Sequence, residues 1–165
     1  MKKTKHQLTD STATRKLQIT IVLCSIIFTI GTAIHNFVII NPTLIETMMQ
    51  MAGVADPAGE AIGFTFGFRI VGCIYIIGNA LGILALYSRS RILWWVILAV
   101  NITQAAGPIM IPSSMWTAVT GVHGVLGILP SAITDGGAII LSLVMIISMF
   151  KFRTIWAKRP SYVKN

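Results

Sequence analysis

Four long apolar runs alternate with short polar stretches along the chain: Leu17–Ile40, Ala61–Tyr87, Ile92–Ile111 and Gly121–Phe150. Each approaches or exceeds the roughly 20 residues that an α-helix needs to cross the hydrocarbon core of a bilayer. The pattern predicts an all-α integral membrane bundle over 17–150. Its four transmembrane helices run up-down-up-down with short connections, between polar, basic tails at 1–16 and 151–165.

The breaks between the runs carry their own signals. The first run is about 24 residues long and ends in Ile-Asn-Pro, not at a small-residue cleavage site, so it reads as an uncleaved spanning helix and not as a signal peptide. Asn41 can cap a helix and Pro42 suits its first turn. Thr43–Ala52 then reads as a short amphipathic helix rich in methionine (Met48, Met49, Met51), with Gly53 to end it. It is too short to span, which places it at the outer interface. Asp56-Pro57 and Gly59 turn the chain into the second span. The third run opens on Trp94-Trp95, an aromatic belt at headgroup level, and ends in Gly107-Pro108 and Pro112, where a kink is expected. Residues 112–120 read as an uncharged loop with Trp116 at the surface. Pro130 and Gly136-Gly137 predict a bend in the fourth span, and Trp156 reads as an interfacial anchor.

Composition agrees with the pattern. The chain has 165 residues, 55% hydrophobic and 11% charged, with mean hydropathy +0.79; soluble domains are about a quarter charged. The net charge of +8 changes the picture only through its placement. Twelve of the 13 Lys and Arg flank the apolar runs: Lys2, Lys3, Lys5, Arg15 and Lys16, then Arg89 and Arg91, then Lys151, Arg153, Lys158, Arg159 and Lys164. This is a pattern of cytoplasmic anchors, without the aromatic-interleaved basic motif of a nucleic-acid surface. The first loop carries Glu46, Asp56 and Glu60 and no Lys or Arg, and the third loop carries no charge. Both termini are therefore expected in the cytoplasm, with the chain a multi-pass protein of the plasma membrane.

The thirteenth cation, Arg69, lies inside the second run. A charge at the centre of a spanning helix costs about 2.5–3.5 kcal/mol on insertion scales and normally faces a partner inside the bundle. Counting about 1.5 Å per residue from the cytoplasmic end of each helix gives heights of about 27 Å for Arg69, 23 Å for Asp135, 28 Å for His35 and 20 Å for Gln104. Each span thus offers one polar residue to a common band. Arg69, Gly72, Ile76 and Asn79 share one stripe; Asn101, Gln104 and Pro108 share another; Ser131, Asp135 and Ser142 a third; Phe28, Gly31, Thr32 and His35 a fourth. Turned inward, these faces predict an Arg69–Asp135 ion pair with His35 and Gln104 beside it. Such a pair either fixes helix register or lines a polar pocket opening to the outer face, with Asn79 and Asn101 among its lining; the remaining reading is an Arg69 that faces lipid or snorkels.

Other chemistry is sparse. Glu60 and His123 fall near the outer ends of the second and fourth spans, where they could meet at the mouth of a pocket. No spacing among His35, His123 and Glu60 favours a metal, and none is expected. Cys24 and Cys73 sit in apolar runs and read as small core residues. Gly63/Gly67 and Gly78/Gly82 are small-xxx-small pairs that permit close helix approach. No Walker loop, nucleophile elbow or dinucleotide-binding glycine pattern is present, and no cofactor is expected.

The segment FGFRIVGCIYIIGNALGILAL, an arginine leading a glycine-punctuated apolar helix, resembles the second helix of small bacterial DoxX-like membrane proteins. The resemblance runs over about 100 residues from Ala61 and implies the four-helix membrane fold; some members of that group are linked to quinone-dependent oxidation. Three function classes follow. One is binding or translocation of a small molecule or proton. The second is a non-catalytic accessory subunit with a structural ion pair, whose partners would be the bilayer and another copy or a membrane complex. The third, a quinone-linked redox subunit or intramembrane enzyme, is the least supported, because no nucleophile–base set or cofactor ligand pattern appears.

Overall fold

The computed structural model describes residues 6–162. Four helical spans, Thr12–Ile39, Pro57–Leu86, Arg91–Met110 and Val125–Phe152, are long and apolar enough to cross a membrane. The first is α1 (Thr12–Ile34) continued by a π-helical turn (His35–Ile39). The second is α3 (Pro57–Leu81) with a terminal 3-10 turn (Gly82–Leu86). The third is α4 (Arg91–Ala105) and a four-residue α5 (Gly107–Met110). The fourth is a 3-10 turn (Val125–Ile128) running into α7 (Leu129–Phe152). Between them lie α2 (Pro42–Met51) and α6 (Ser113–His123).

Local chemistry sets the starts. Ser11, Asn41, Asp56 and Ser90 each accept a hydrogen bond from a backbone N–H of the first turn of α1, α2, α3 and α4, satisfying donors that a helix start otherwise leaves unpaired. Pro42 and Pro57 occupy first-turn positions, where a missing N–H costs nothing. The kink expected in the third span is real: the helix breaks at Ala106 ahead of Gly107-Pro108. Neither Pro130 nor Gly136-Gly137, where a bend is expected, interrupts the fourth span. Pro130 lies in the first turn of α7, which then runs unbroken to Phe152. The chain breaks earlier instead, at Gly124 (φ 66°), and the loop expected over 112–120 is largely the helix α6.

The four spans close into a ring: α1 packs on α3 and α7, and α4 packs on the same two. This leaves α1 opposite α4, and α3 opposite α7. Close approaches hold the ring. Phe28 of α1 fills the space beside Gly137 of α7, and Asn36 fills that beside Gly72 of α3. Gly78 meets Val100 of α4, whereas Gly63 and Gly67 face open space. The outward surface is studded with exposed Leu23, Ile27, Ile30, Ile74, Ile77, Ile140 and Ile147. A soluble bundle presents polar residues there; these positions suit lipid.

The interior is layered. One apolar cluster, including Ile21, Phe28, Trp94, Ile97, Leu141, Met145 and Trp156, fills the half nearest the termini. A second, including Ile40, Ile45, Met48, Met49, Met115 and Val119, joins α2 and α6 into a cap over the far end. Polar side chains lie between the two.

The terminal segments are strapped together. β1 (His6–Thr9) pairs antiparallel with β2 (Arg159–Tyr162), Thr9 opposite Arg159. Ser11 and Thr14 hydroxyls both donate to the Ala157 carbonyl at 3.0 Å. Trp156, expected as an interfacial anchor, is instead buried, and its indole N–H donates to the Ser90 carbonyl at 3.0 Å. Most buried indoles find such a partner, though that of Trp94 has none among the described residues. The two tryptophans read as a belt also separate, Trp94 into the core and Trp95 to the surface. The remainder of the amino-terminal tail, residues 1–5, lies outside the described residues.

Candidate functional site

A cavity of about 220 Å³ sits in the polar layer, lined by residues of all four spans. Asp135 is its centre of charge. The side chain is 7% exposed and accepts three hydrogen bonds: Ser131 Oγ at 2.9 Å, Thr134 Oγ1 at 3.1 Å and Gln104 Nε2 at 3.4 Å. Ser131 lies one turn before Asp135 on α7, so two of the three donors come from its own helix. Gln104 belongs to α4. Its Nε2 also reaches Thr32 Oγ1 of α1 at 3.3 Å, and its Oε1 accepts from Asn79 Nδ2 of α3 at 2.9 Å. Gln104 therefore ties α1, α3, α4 and α7 together at one level. Gly107 leaves room beside the carboxyl, since a β-carbon there would stand 3.1 Å from Asp135 Oδ2.

The expected residues divide into those that meet and those that do not. Asp135, Gln104 and His35 line the cavity, and His35 also packs edge-on against Phe68 with ring centroids 5.9 Å apart. Asn79 joins through Gln104. Asn101 is buried but turns back on its own helix, donating to the Ile97 carbonyl at 2.8 Å. The Arg69–Asp135 ion pair does not form. Among the described residues the ion pair within 4.0 Å is Arg89–Asp10. The reason is the ring order: Arg69 and Asp135 stand on opposite helices, α3 and α7, with the cavity between them. Arg69 is also one position round α3 from the lining stripe of Phe68, Gly72 and Tyr75. Its carbonyl accepts from Asn36 at 3.3 Å, while its Nε is buried without a partner. Glu60 is exposed in the first turn of α3, and His123 ends α6 against Gly127. Neither lines the cavity.

Asn36 is the main residue that sequence reasoning missed. It is buried, touches Gly72, donates to the Arg69 carbonyl and leaves its Oδ1 unpaired. On an ordinary helix Asn36 and its neighbour His35 point about 100° apart. They line the same cavity where α1 passes into the π-helical turn. Such turns insert an extra residue and recur at functional sites, but no hydrophobic period announces them.

The cavity was expected to open along the bundle axis. The cap of α2 and α6 stands over that end, and lining residues also reach the side of the bundle. Val71 of α3, Thr103 of α4 and Met110 of α5 line the cavity and are also exposed on the outside of the bundle. Counting about 1.5 Å per residue, Val71 stands about 22 Å along its span from Leu86, well inside a hydrocarbon core about 30 Å thick.

Fold and site together define a multi-pass membrane protein with an intramembrane polar cavity. Comparison with protein-family models, curated proteins and solved structures finds no match to the chain. Among the described residues no group of three or more His, Cys, Asp and Glu is placed to hold a metal ion.

Proposed function

We propose that the protein binds, and passes across or along the bilayer, a small amphiphile with a cationic or hydrogen-bond-donating head, or a proton, at Asp135. The observation that carries this reading is the carboxyl itself. It faces the cavity, receives hydrogen bonds only from neutral groups and has no cation within 4.0 Å among the described residues. A buried charge without a counter-ion is costly, so a positive or proton-donating guest gains where an anion would be repelled. The acceptor nitrogen of His35, which lines the same cavity, would take a second donor of the head. Access from lipid would run between α3 and α4, where Val71 and Thr103 line the cavity and are exposed, and apolar Val71 and Met110 would suit a tail.

The arrangement of Lys and Arg supports a plasma-membrane placement with both ends in the cytoplasm. DoxX-like kinship is retained as a proposal at the level of the fold alone, with no redox step attached to it.

The test uses purified protein in detergent and two probe series, primary alkylamines and alkyl carboxylates of equal length. Amines are expected to raise the unfolding temperature and carboxylates to leave it unchanged, with the amine effect lost in Asp135→Asn. Equal responses to both series, or an amine response that survives Asp135→Asn, sink the reading. A structural role has its own support, since Gln104 links all four spans through this site. In that case Asp135→Asn lowers stability without any change in amine preference.

A further inference from the structure

The end of the bundle that carries the termini has a second cleft, of about 430 Å³, built from separate parts of the chain. The turn before α4 contributes Arg89, the first turns of α4 contribute Arg91 and Trp95, and the segment after α7 contributes Arg153 and Lys158. Arg89 already has its partners. It pairs with Asp10, and Gln18 Oε1 accepts from its Nε at 3.3 Å and Nη2 at 2.9 Å. Among the described residues no carboxylate lies within 4.0 Å of Arg91, Arg153 or Lys158. Three cations sharing one cleft repel each other unless an anion lies among them.

The fold holds these cations together at a cost. Arg153 and Ala157 both take positive φ, 53° and 51°, a region that non-glycine residues adopt only when their surroundings impose it. Those two turns bring the segment after α7 back over the start of α4. Trp156 then buries there and bonds Ser90, the residue beside Arg91. The cleft is therefore a fixed feature of the packed end, not a chance meeting of mobile side chains.

Its level decides the ligand. Arg91 opens one apolar span and Arg153 follows the end of another, so the cations stand where headgroups begin. Trp95 and Met149 line the same cleft from within the spans, one turn or so deeper toward the hydrocarbon. A soluble anion would use the cations alone; an anionic lipid uses both levels. We infer that this cleft holds the phosphoryl headgroup of an anionic membrane lipid. Arg91, Arg153 and Lys158 contact the phosphate, with guanidinium forks suited to two of its oxygens, and Trp95 lies against the glycerol and upper acyl region.

Tryptophan quenching in reconstituted full-length protein tests this. Phosphatidylcholine vesicles carry equal small fractions of brominated phosphatidylglycerol or brominated phosphatidylcholine, and Trp95→Phe identifies the Trp95 component. Phosphatidylglycerol is expected to quench Trp95 severalfold more. Arg91→Gln, Lys158→Gln and Arg153→Asn (asparagine tolerates the positive φ) each lower that preference about fivefold, the equivalent of about 1 kcal/mol per basic residue near a membrane surface. Lys151→Gln removes a cation at the same level that does not line the cleft, and leaves the preference unchanged. Equal quenching by the two lipids, or an equal loss in Lys151→Gln, overturns the inference in favour of general surface attraction. A saturable Trp95 response to inorganic phosphate in lipid-free detergent assigns the cleft to a soluble anion and overturns the lipid.

Discussion

Asp135 and Gln104 share one hydrogen bond but play different parts. Asp135 faces the cavity, and its loss should change what binds. Gln104 is spent on its neighbours, with Thr32, Asn79 and Asp135 as partners. Gln104→Leu strips three side chains of a partner at once. Interhelical hydrogen bonds in membrane bundles average about 0.6 kcal/mol and reach about 1.7. Gln104→Leu is therefore expected to lower stability by about 1–3 kcal/mol for the group, read by denaturant titration in mixed micelles, without reversing the preference for amines over carboxylates. The polar residues themselves were legible at this scale: a charged or amide side chain inside an apolar run stands out, and Asp135, Gln104 and His35 were singled out that way. Asn36, an amide in the first run, fits the same rule, but an ordinary helix points it about 100° from His35, and the π turn that brings both to the cavity leaves no mark in composition.

Between elements, glycines decide how near the helices come. Asn36 occupies the space a methyl would need at Gly72, and Phe28 Cε1 would stand 2.5 Å from a β-carbon at Gly137. Packed interiors relax little, and overpacking costs about 1–3 kcal/mol. Gly72→Ala and Gly137→Ala are both expected to destabilise by that amount, whereas Gly63→Ala and Gly67→Ala, which meet open space, should leave the unfolding midpoint unchanged. Spacing alone ranked the pairs Gly63/Gly67 and Gly78/Gly82 alike, whereas only the second meets side chains of neighbouring helices, Val100 and Ser25. The seam between α3 and α4–α5 carries a further prediction. Val71→Trp and Thr103→Trp place bulk on the exposed rim of the cavity; both should slow the approach of alkylamine probes severalfold in stopped-flow measurements while stability stays near that of the parent. Unaltered kinetics in both variants would remove the lateral route.

At the scale of the whole molecule, an even number of spans and the β1–β2 strap bring the two ends to one side. Reporter domains fused to either end should give the same compartment signal, cytoplasmic on the charge distribution proposed above; opposite signals would contradict the strap itself. Because Ala157 accepts from Ser11 at the start of α1 and Trp156 donates to Ser90 at the start of α4, removal of residues beyond Arg153 should lower stability by about 2–4 kcal/mol, since it strips a buried indole from the core. A peripheral tail, as the basic composition suggested, would be lost without effect.

The sequence by itself determined that four helices are long and apolar enough to cross a membrane, where each begins to within about five residues, and that Asp135, Gln104 and His35 lie inside the spans. Those properties follow from local rules: run length, capping side chains, and the cost of charge in hydrocarbon. The tertiary structure alone decided which of those residues meet. Height along a helix can be counted from the chain, but azimuth and ring order cannot, because they depend on which small residues let which helices approach. Arg69 and Asp135 share a level and stand on opposite helices; Gln104 and Asp135 share a level on adjacent ones. For the same reason the sequence carried Arg89, Arg91, Arg153 and Lys158 only as part of an orientation signal, and folding the two ends together made them walls of one cleft.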